Sequence, residues 1–81
     1  MLGDVEDFAV LDLCAGTGAV GLEALSRGAR HATFVDRNVE ALLNNIDALD
    51  VKDRTTIIRD DVERALARLD ERFDLIFADP P

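Results

Sequence analysis

The chain has 81 residues, 48% of them hydrophobic, and its 17 Asp and Glu against 9 Lys and Arg give a formal net charge of −8. This length allows one small domain that buries about 60 to 65% of its unfolded surface, and the acidity disfavours this surface as a binding site for phosphate backbones. A single cysteine excludes an internal disulfide, and no apolar stretch approaches the roughly 20 residues that span a membrane. We therefore expect a soluble cytoplasmic domain, with no signal peptide at its acidic start.

Four apolar runs alternate with three helical patterns along the chain. The runs span 8–13, 32–35, 55–58 and 73–78, and the continuous apolar character of the first suits a strand buried on both faces. The first helix is predicted over 19–27, with Gly28 as its end. The charged stretch 50–54 is predicted to be a loop.

The second and third helices are predicted from their caps and apolar stripes. Asn38 can cap the second helix, and Asp60 and Glu63 have the spacing of an acidic capping box before the third. One apolar face is expected on the second helix, formed by Val39, Leu42, Leu43, Ile46 and Leu49. The third helix has its stripe at Val62, Ala65, Leu66 and Leu69.

The order β-α-β-α-β-α-β predicts right-handed crossovers and one parallel sheet of the α/β class. Since the switch point of a doubly wound sheet lies beside its first strand, the predicted strand order is 3-2-1-4. A ligand is then expected at the carboxyl ends of strands 1, 2 and 4. The fourth strand is strongly apolar yet would form an edge, so we expect the chain to belong to a larger domain with further C-terminal strands.

A glycine-rich turn follows the first strand, with Gly16, Gly18 and Gly21 at G-x-G-x-x-G spacing. This spacing alone is a weak signal. Asp12 adds to it, because an unpaired carboxylate in a buried strand costs several kcal/mol and dinucleotide-binding loops usually keep that strand apolar. Asp12 therefore either faces the positive charge of a ligand or holds amides of the loop.

Two further acids follow the second and third strands. Asp36 lies 20 residues after Gly16, where a carboxylate can accept both hydroxyls of a ribose; the alternative is an ordinary acid at a strand end or helix start. Asp61 could meet an adenine amino group or simply open a helix, where acids are favoured. Between the neighbours, Asp60 is predicted to be the better helix cap.

The chain ends in Asp79-Pro80-Pro81. An acid and two prolines after a buried strand give a rigid extended backbone, which can hold a side-chain oxygen and a carbonyl as two acceptors. Such a pair suits an exocyclic amine, because it takes the protons and orients the lone pair. The alternative is a plain strand-ending Pro-Pro.

Together these motifs resemble the class I S-adenosylmethionine-dependent methyltransferases that methylate amines. The run L-D-L-C-A-G-T-G-A-V-G-L-E-A-L-S-R-G-A, the N-N-I-D-A-L of the second helix and the final F-D-L-I-F-A-D-P-P resemble the bacterial small-subunit rRNA guanine-N2 methyltransferases of the RsmD family. The resemblance implies a Rossmann-like fold, with residues 1–81 as one partial domain, the cofactor-binding half, ending at D-P-P.

The resemblance also implies roles for individual residues. Asp12 with the loop backbone would hold the methionine part of S-adenosylmethionine, Asp36 the ribose, and Asp61 with the Val62 backbone the adenine. The implied cofactor-binding set is Asp12, Ala15, Gly16, Gly18, Asp36, Asp61 and Val62. The implied catalytic set is Asp79, Pro80 and Pro81, which would bind the N2 amine of an unstacked guanine and position it for in-line attack on the methyl group. No metal is implied.

The implied partner is ribosomal RNA or the small ribosomal subunit, contacted through segments outside this chain, so the 81 residues alone are expected to be catalytically silent. Alternatives are another amino-methyltransferase (of adenine N6 in DNA or another RNA guanine), an NAD(P)-binding Rossmann module, and a non-catalytic remnant.

Three further features of the sequence have a simpler interpretation. Cys14 is interpreted as a small buried thiol rather than the nucleophile of a cytosine-C5 methyltransferase. Lys52, Arg54 and Arg59 are interpreted as a solvated face, and Asn44 and Asn45 as a family feature or as helix-packing residues.

Overall fold

The computed structural model describes residues 4–78, which form four strands and three α-helices around one sheet. In chain order the elements are β1 (Ala9–Leu13), α1 (Ala19–Ser26), β2 (His31–Asp36), α2 (Glu40–Leu49), a 3₁₀ turn (Lys52–Arg54), β3 (Thr55–Arg59), α3 (Val62–Arg68) and β4 (Leu75–Ala78). The sheet is parallel throughout, in the order β3-β2-β1-β4, which confirms the predicted topology. Within residues 4–78 no helix is both long and apolar enough to cross a membrane.

The core has two parts, one on each face of the sheet. The larger part joins α1 and α2 to one face and is centred on Phe34, which is fully buried. The smaller part joins α3 to the other face through Ala65, which packs near Leu11 and Val35. Because both faces are covered, the consecutive residues 10–13 of β1 and 32–35 of β2 are all buried.

The register of the sheet brings the carboxyl ends of neighbouring strands together. Leu13, the last residue of β1, pairs with Val35 of β2 on one side and with Ala78, the last residue of β4, on the other. Among the described strands β4 pairs with β1 alone, and its Ile76 side chain is 55% exposed. The residues that follow β1, β2 and β4 therefore emerge at one edge of the sheet.

The cap of α3 differs from the prediction. Asp61 is the N-cap, and its Oδ1 accepts a hydrogen bond from the Arg64 backbone N–H at 2.8 Å. Asp60, predicted to be the better cap, instead accepts from the Asp61 backbone N–H and from the Arg68 guanidinium, at 2.8 and 2.9 Å. The prediction was wrong by one residue because either acid fits the consensus, and only the backbone direction decides which carboxylate reaches the first free amides.

Helix α2 buries a narrower stripe than predicted. Leu42 and Ile46 are buried, and so is Val39, the residue just before the helix. Leu43 and Leu49, predicted to lie on the same apolar face, are 47% and 58% exposed. The helix starts at Glu40, whose N–H donates to the side chain of Asn38 at 3.2 Å, so Asn38 forms the turn just ahead of the helix.

Arg54 is not part of a solvated face, contrary to the prediction. Its half-buried guanidinium donates to the carbonyl oxygens of Leu25, at 3.0 Å, and Ala29, at 2.5 Å. Leu25 lies in the last turn of α1, where a cation meets the negative end of the helix dipole, and Ala29 lies in the segment between α1 and β2. Arg54 therefore links the end of α1 to the start of β3.

One buried side-chain polar atom in residues 4–78 has no hydrogen-bond partner, the hydroxyl oxygen of Thr33 in β2. Thr33 is 1% exposed and pairs with Leu11 in the sheet. An unpaired buried hydroxyl carries its full desolvation cost.

We expect Thr33→Val, which keeps the shape and removes the hydroxyl, to raise the free energy of unfolding by about 1 kcal/mol in urea titrations. Thr56→Val is the control, since the Thr56 hydroxyl is exposed and bonded to His31; a gain of the same size there would contradict the explanation.

Candidate functional site

Three open cavities surround the carboxyl ends of the strands. The β3 cavity, of about 440 Å³, is lined by Cys14, Asp36, Arg37, Asp60, Asp61, Val62 and Glu63. The β4 cavity, of about 610 Å³, lies between the end of β1, the start of α1 and β4. The α2 cavity, of about 490 Å³, lies between the glycine loop and the start of α2. The cavities adjoin one another, because Cys14, Thr17 and Asp36 each line two of them.

Asp12 places a carboxylate in the wall of the β4 cavity. Its side chain is 5% exposed, and Oδ2 accepts a hydrogen bond from the Gly21 backbone N–H at 3.1 Å. Burial raises the pKa of Asp12 above 3.8; the hydrogen bond from Gly21 opposes this rise, and the negative charge of Asp36 adds to it. The carboxylate is thus poorly compensated as an anion, and a nearby positive charge would stabilise it.

The three glycines of the loop serve different purposes. Gly16 has φ +58°, and a Cβ atom placed there would meet nothing within 4 Å, so open space adjoins its backbone. Gly18 has φ +82°, and a Cβ atom there would overlap the Leu42 side chain of α2. A Cβ atom on Gly21 would overlap the Phe34 ring and lie 3.2 Å from the Asp12 carboxylate. Gly16 therefore leaves room for a ligand, and the other two allow close packing.

Asp36 joins the end of β2 to the glycine loop. Its Oδ2 accepts from the Gly16 N–H at 2.7 Å and its Oδ1 accepts from the Asn38 N–H at 3.2 Å. Each carboxylate oxygen can accept a further bond, because each has two lone pairs. Two backbone donors thus fix the orientation of Asp36 between the β3 and α2 cavities.

Most of the residues predicted for the site lie around these cavities. Asp61 and Val62 share the β3 cavity with Asp36, and Ala15 lines the β4 cavity with Asp12. Gly18 lines none of the three: its N–H donates to the Ala15 carbonyl at 2.8 Å, and its carbonyl accepts from Leu22 at 2.8 Å. Asp79, Pro80 and Pro81 lie outside the described residues.

Cys14 has an unexpected place and conformation. It lines both the β3 and the β4 cavity, and it is half-buried, whereas a buried thiol was predicted. Its φ of 59° puts the backbone in the left-handed region, which side-chain-bearing residues seldom adopt. The sharp turn of the chain after β1 begins here, and nothing in the local sequence marks it except the glycines that follow.

Two residues near the cavities were not among the predicted ligands. Arg37 contributes a cation to the wall of the β3 cavity, beside Asp60 and Asp61. Asn45 of α2 donates from Nδ2 to the Thr17 carbonyl at 2.9 Å, and so contacts the glycine loop directly. The amide donor is 28 residues from its acceptor, so no local signal in the sequence connects the two.

The chemistry of the walls indicates the kind of ligand that fits. The β3 cavity has four carboxylates and one guanidinium, and the β4 cavity has Asp12 and Glu23 among apolar neighbours. Such surroundings favour a ligand with positive charge and hydroxyl donors, and they disfavour a pyrophosphate. Within residues 4–78 no cluster of three or more His, Cys, Asp or Glu is arranged to hold a metal ion.

The parallel sheet in the order 3-2-1-4, with a glycine loop after the first strand and acids at the strand ends, is the arrangement of the class I methyltransferase fold, and solved methyltransferase structures share it. An Escherichia coli structure titled "Putative methyltransferase yhhF" superimposes with a TM-score of 0.88 and 32% identity, over 95% of this chain and 45% of that one. The chain belongs to the family described as "Conserved hypothetical protein 95", which matches residues 1–81.

Two curated relatives have names that specify an activity. "Putative rRNA methyltransferase YlbH" of Bacillus subtilis is 44% identical over 77 residues, which is 88% of this chain and 42% of the relative. "Ribosomal RNA small subunit methyltransferase D" of Escherichia coli is 36% identical over 80 residues, which is 95% of this chain and 40% of the relative. These matches confirm the predicted resemblance, and the chain spans about two fifths of the length of both relatives.

A more distant structure contains a product of methyl transfer. The Trypanosoma brucei "PRMT1 enzyme-prozyme heterotetrameric complex with AdoHcy" superimposes with a TM-score of 0.73 and 30% identity, over 88% of this chain and 22% of that one. A complex that contains S-adenosylhomocysteine thus includes a chain with the same fold as this one.

Proposed function

We propose that the chain is the S-adenosylmethionine-binding part of an rRNA methyltransferase, acting on the exocyclic N2 amine of a guanine in small-subunit rRNA. The observation that carries the proposal is Asp12, a buried carboxylate with one hydrogen bond and a raised pKa, in the wall of the β4 cavity. This cavity adjoins, at Thr17, the α2 cavity that Gly16 lines. A buried anion of this kind is costly in the free protein and favourable next to a cation. S-adenosylmethionine carries two cationic groups, an ammonium and a sulfonium.

The residues around the cavities fit this cofactor part by part. Asp12 and Ala15 in the β4 cavity would hold the methionine moiety, and Asp36, fixed by two N–H donors, has free lone pairs for the ribose hydroxyls. Asp61 and Val62 in the β3 cavity would meet the adenine. When bound, the cofactor supplies an electrophilic methyl group.

The proposed specificity for an amine depends on residues 79–81 and on the names of the relatives. Ala78 ends β4 beside Leu13, and Asp79, Pro80 and Pro81 follow it in sequence. We propose that the Asp79 carboxylate and the Pro80 carbonyl accept the two N2 protons, while Pro81 restrains the backbone, so that the lone pair is held toward the methyl group. The small-subunit specificity is taken from the name of the Escherichia coli relative.

We propose that RNA is contacted by segments that the longer relatives have outside the region matched by this chain. A chain with a net charge of −8 repels phosphates, and it spans about two fifths of the length of the curated relatives. We propose that residues 1–81 form the cofactor-binding half of one domain, that they are catalytically silent alone, and that they act in the cytoplasm.

Calorimetry with S-adenosylmethionine, S-adenosylhomocysteine and NAD tests the cofactor. We expect the first two to bind and NAD not to bind, because the carboxylates of both cavities disfavour a pyrophosphate. Binding of NAD without S-adenosylhomocysteine would assign the chain to the NAD(P)-binding modules instead.

A chimaera tests the substrate. Residues 1–81 would replace the matching segment of Escherichia coli small subunit methyltransferase D, with which they share 36% identity over 80 residues. With radiolabelled cofactor and separate samples of small and large ribosomal subunits, the label should enter the small-subunit RNA, and nucleoside analysis should give N2-methylguanosine. N6-methyladenosine as the product would refute the proposed amine, and incorporation into large-subunit RNA alone would refute the proposed subunit. Labelling of naked rRNA by the 81-residue chain would contradict its proposed silence.

Two substitutions of Asp61 can separate its role as the N-cap of α3 from its proposed role in binding adenine. In Asp61→Asn the remaining oxygen still accepts from the Arg64 N–H, whereas the new amide cannot accept from an adenine amine. We expect the free energy of unfolding to change by less than about 0.5 kcal/mol, and S-adenosylhomocysteine affinity to fall by about fivefold. Asp61→Ala should lose both the affinity and about 1 kcal/mol of stability. Equal affinity in the wild type and Asp61→Asn would leave Asp61 as a cap only.

A further inference from the structure

The glycine loop is held by contacts from outside at three consecutive residues. Gly16 donates its N–H to Asp36 at the end of β2, Thr17 accepts from Asn45 of α2, and Gly18 packs against Leu42 of α2. Leu42 and Asn45 are three residues apart and so lie on the same side of the helix. Helix α2 thus supports the loop through one apolar and one polar contact.

The polar contact sets the orientation of a single peptide unit. In a trans peptide the carbonyl and the N–H point in opposite directions. Asn45 holds the Thr17 carbonyl toward α2 at 2.9 Å, and the N–H of the same peptide, on Gly18, donates to the Ala15 carbonyl at 2.8 Å. Because a carbonyl accepts only, the Asn45 side chain must present its NH₂ group there.

The orientation of this peptide affects both cavities that the loop separates. Thr17 lines the β4 cavity and the α2 cavity, and Gly16 beside it has open space at its Cα. A glycine-rich loop has many conformations available, so an external hydrogen bond removes alternatives that could not bind a ligand.

We infer that Asn45 is a positioning residue for cofactor binding: it fixes the Thr17–Gly18 peptide and thereby keeps the loop in its binding conformation. This inference rests on the proposed function. Asn45 itself lines none of the three cavities, so its effect is exerted through the loop.

The test compares Asn45→Ala and Asn45→Asp with Asp47→Asn. Asn45→Asp keeps the shape and removes the donor, and Asp47, on the same helix, is exposed. The probe is S-adenosylhomocysteine, and Asn45→Ala removes the donor without adding a charge, so agreement between the two Asn45 variants assigns the effect to the lost hydrogen bond. We expect the Kd to rise about fivefold in both Asn45 variants, as for the loss of one hydrogen bond, and less than about twofold in Asp47→Asn.

Amide hydrogen exchange distinguishes positioning from a general loss of stability. The Gly18 amide should exchange faster in both Asn45 variants, while amides of β1 and β2 keep their wild-type rates. Wild-type affinity in both variants, or faster exchange throughout the sheet, would overturn the inference and leave the proposed function intact. If the wild type binds neither S-adenosylmethionine nor S-adenosylhomocysteine, the proposed function fails, and an unchanged Gly18 exchange rate would separately refute the positioning role.

Discussion

Replacing Asp12 by Asn is expected to stabilise the free protein while weakening its binding of S-adenosylmethionine. Burial raises the pKa of Asp12, so the ionised carboxylate costs stability near neutral pH. The Asn side chain keeps an oxygen for the Gly21 N–H and removes the charge. The affinity should fall about 10- to 100-fold, the size of a lost hydrogen bond to a charged group. Thermal unfolding and calorimetry measure the two effects.

The pH dependence of this stabilisation has a definite sign. Since the pKa in the folded protein is raised above 3.8, the folded state binds the proton more tightly than the unfolded state does. Asp12 therefore costs the most stability above its folded pKa, and the cost disappears as the pH falls toward 3.8. The difference in unfolding free energy between Asp12→Asn and the wild type should shrink over that interval.

Asp70→Asn is the control for Asp12→Asn, because it removes an exposed charge outside the cavities. It should change neither the stability nor the affinity by a measurable amount. A variant Asp12→Asn that is less stable than the wild type at neutral pH, or that binds the cofactor equally well, would remove Asp12 from the proposed site.

Gly21→Ala is expected to destabilise the protein strongly for so small a substitution. Its Cβ atom would overlap Phe34, lying 2.8 Å from Cζ, and Phe34 is fully buried in the core. Overpacking of this kind costs about 1 to 3 kcal/mol, and a rigid ring places it at the upper end; the better helix propensity of Ala offsets about 1 kcal/mol. We expect the midpoint of thermal unfolding to fall by about 10 °C.

A double-mutant cycle tests the cause of that loss. Phe34→Leu shortens the side chain that the new methyl group meets, so Gly21→Ala should cost less in the Phe34→Leu background, with a coupling energy of about 1 kcal/mol or more. Gly16→Ala is the matched control: it has left-handed strain of about 1 to 2 kcal/mol but no neighbour within 4 Å, and Phe34→Leu should not alter its cost. Additive effects of Gly21→Ala and Phe34→Leu would show that the ring is not responsible.

The topology and the strand-end acids could be predicted because they depend on short patterns. Alternating strands and helices with crossovers of fixed handedness leave few arrangements, and the order 3-2-1-4 was among them. Asp12 and Asp36 stand out because a carboxylate at the end of an apolar strand is costly to bury unless a donor or a positive charge compensates it. Strand bounds shifted by one or two residues: β2 extends to His31 and Asp36, and β4 starts only at Leu75.

What the sequence could not reveal depends on contacts between distant residues. The Asn45 bond to Thr17 and the Arg54 bonds to the end of α1 join segments 25 to 29 residues apart. Each side chain looks like an ordinary solvated residue in its own helix or loop. The choice between Asp60 and Asp61 as the cap failed for a related reason, since a one-residue difference is decided by the path of the backbone and not by composition.

The pairing of β1 has a consequence for the speed of folding. Among the described strands β1 is the first in sequence, yet it lies inside the sheet between β2 and β4. On the β4 side, the Ala9 N–H donates to the carboxylate of Asp74, 65 residues away. Closing so long a loop costs entropy before any contact repays it, which slows folding relative to proteins with local contacts. During synthesis, β1 cannot acquire both neighbours until β4 has left the ribosome. Until then, the side of β1 that pairs with β4 keeps its backbone N–H and C=O groups unpaired, and an open strand edge of this kind favours misassembly.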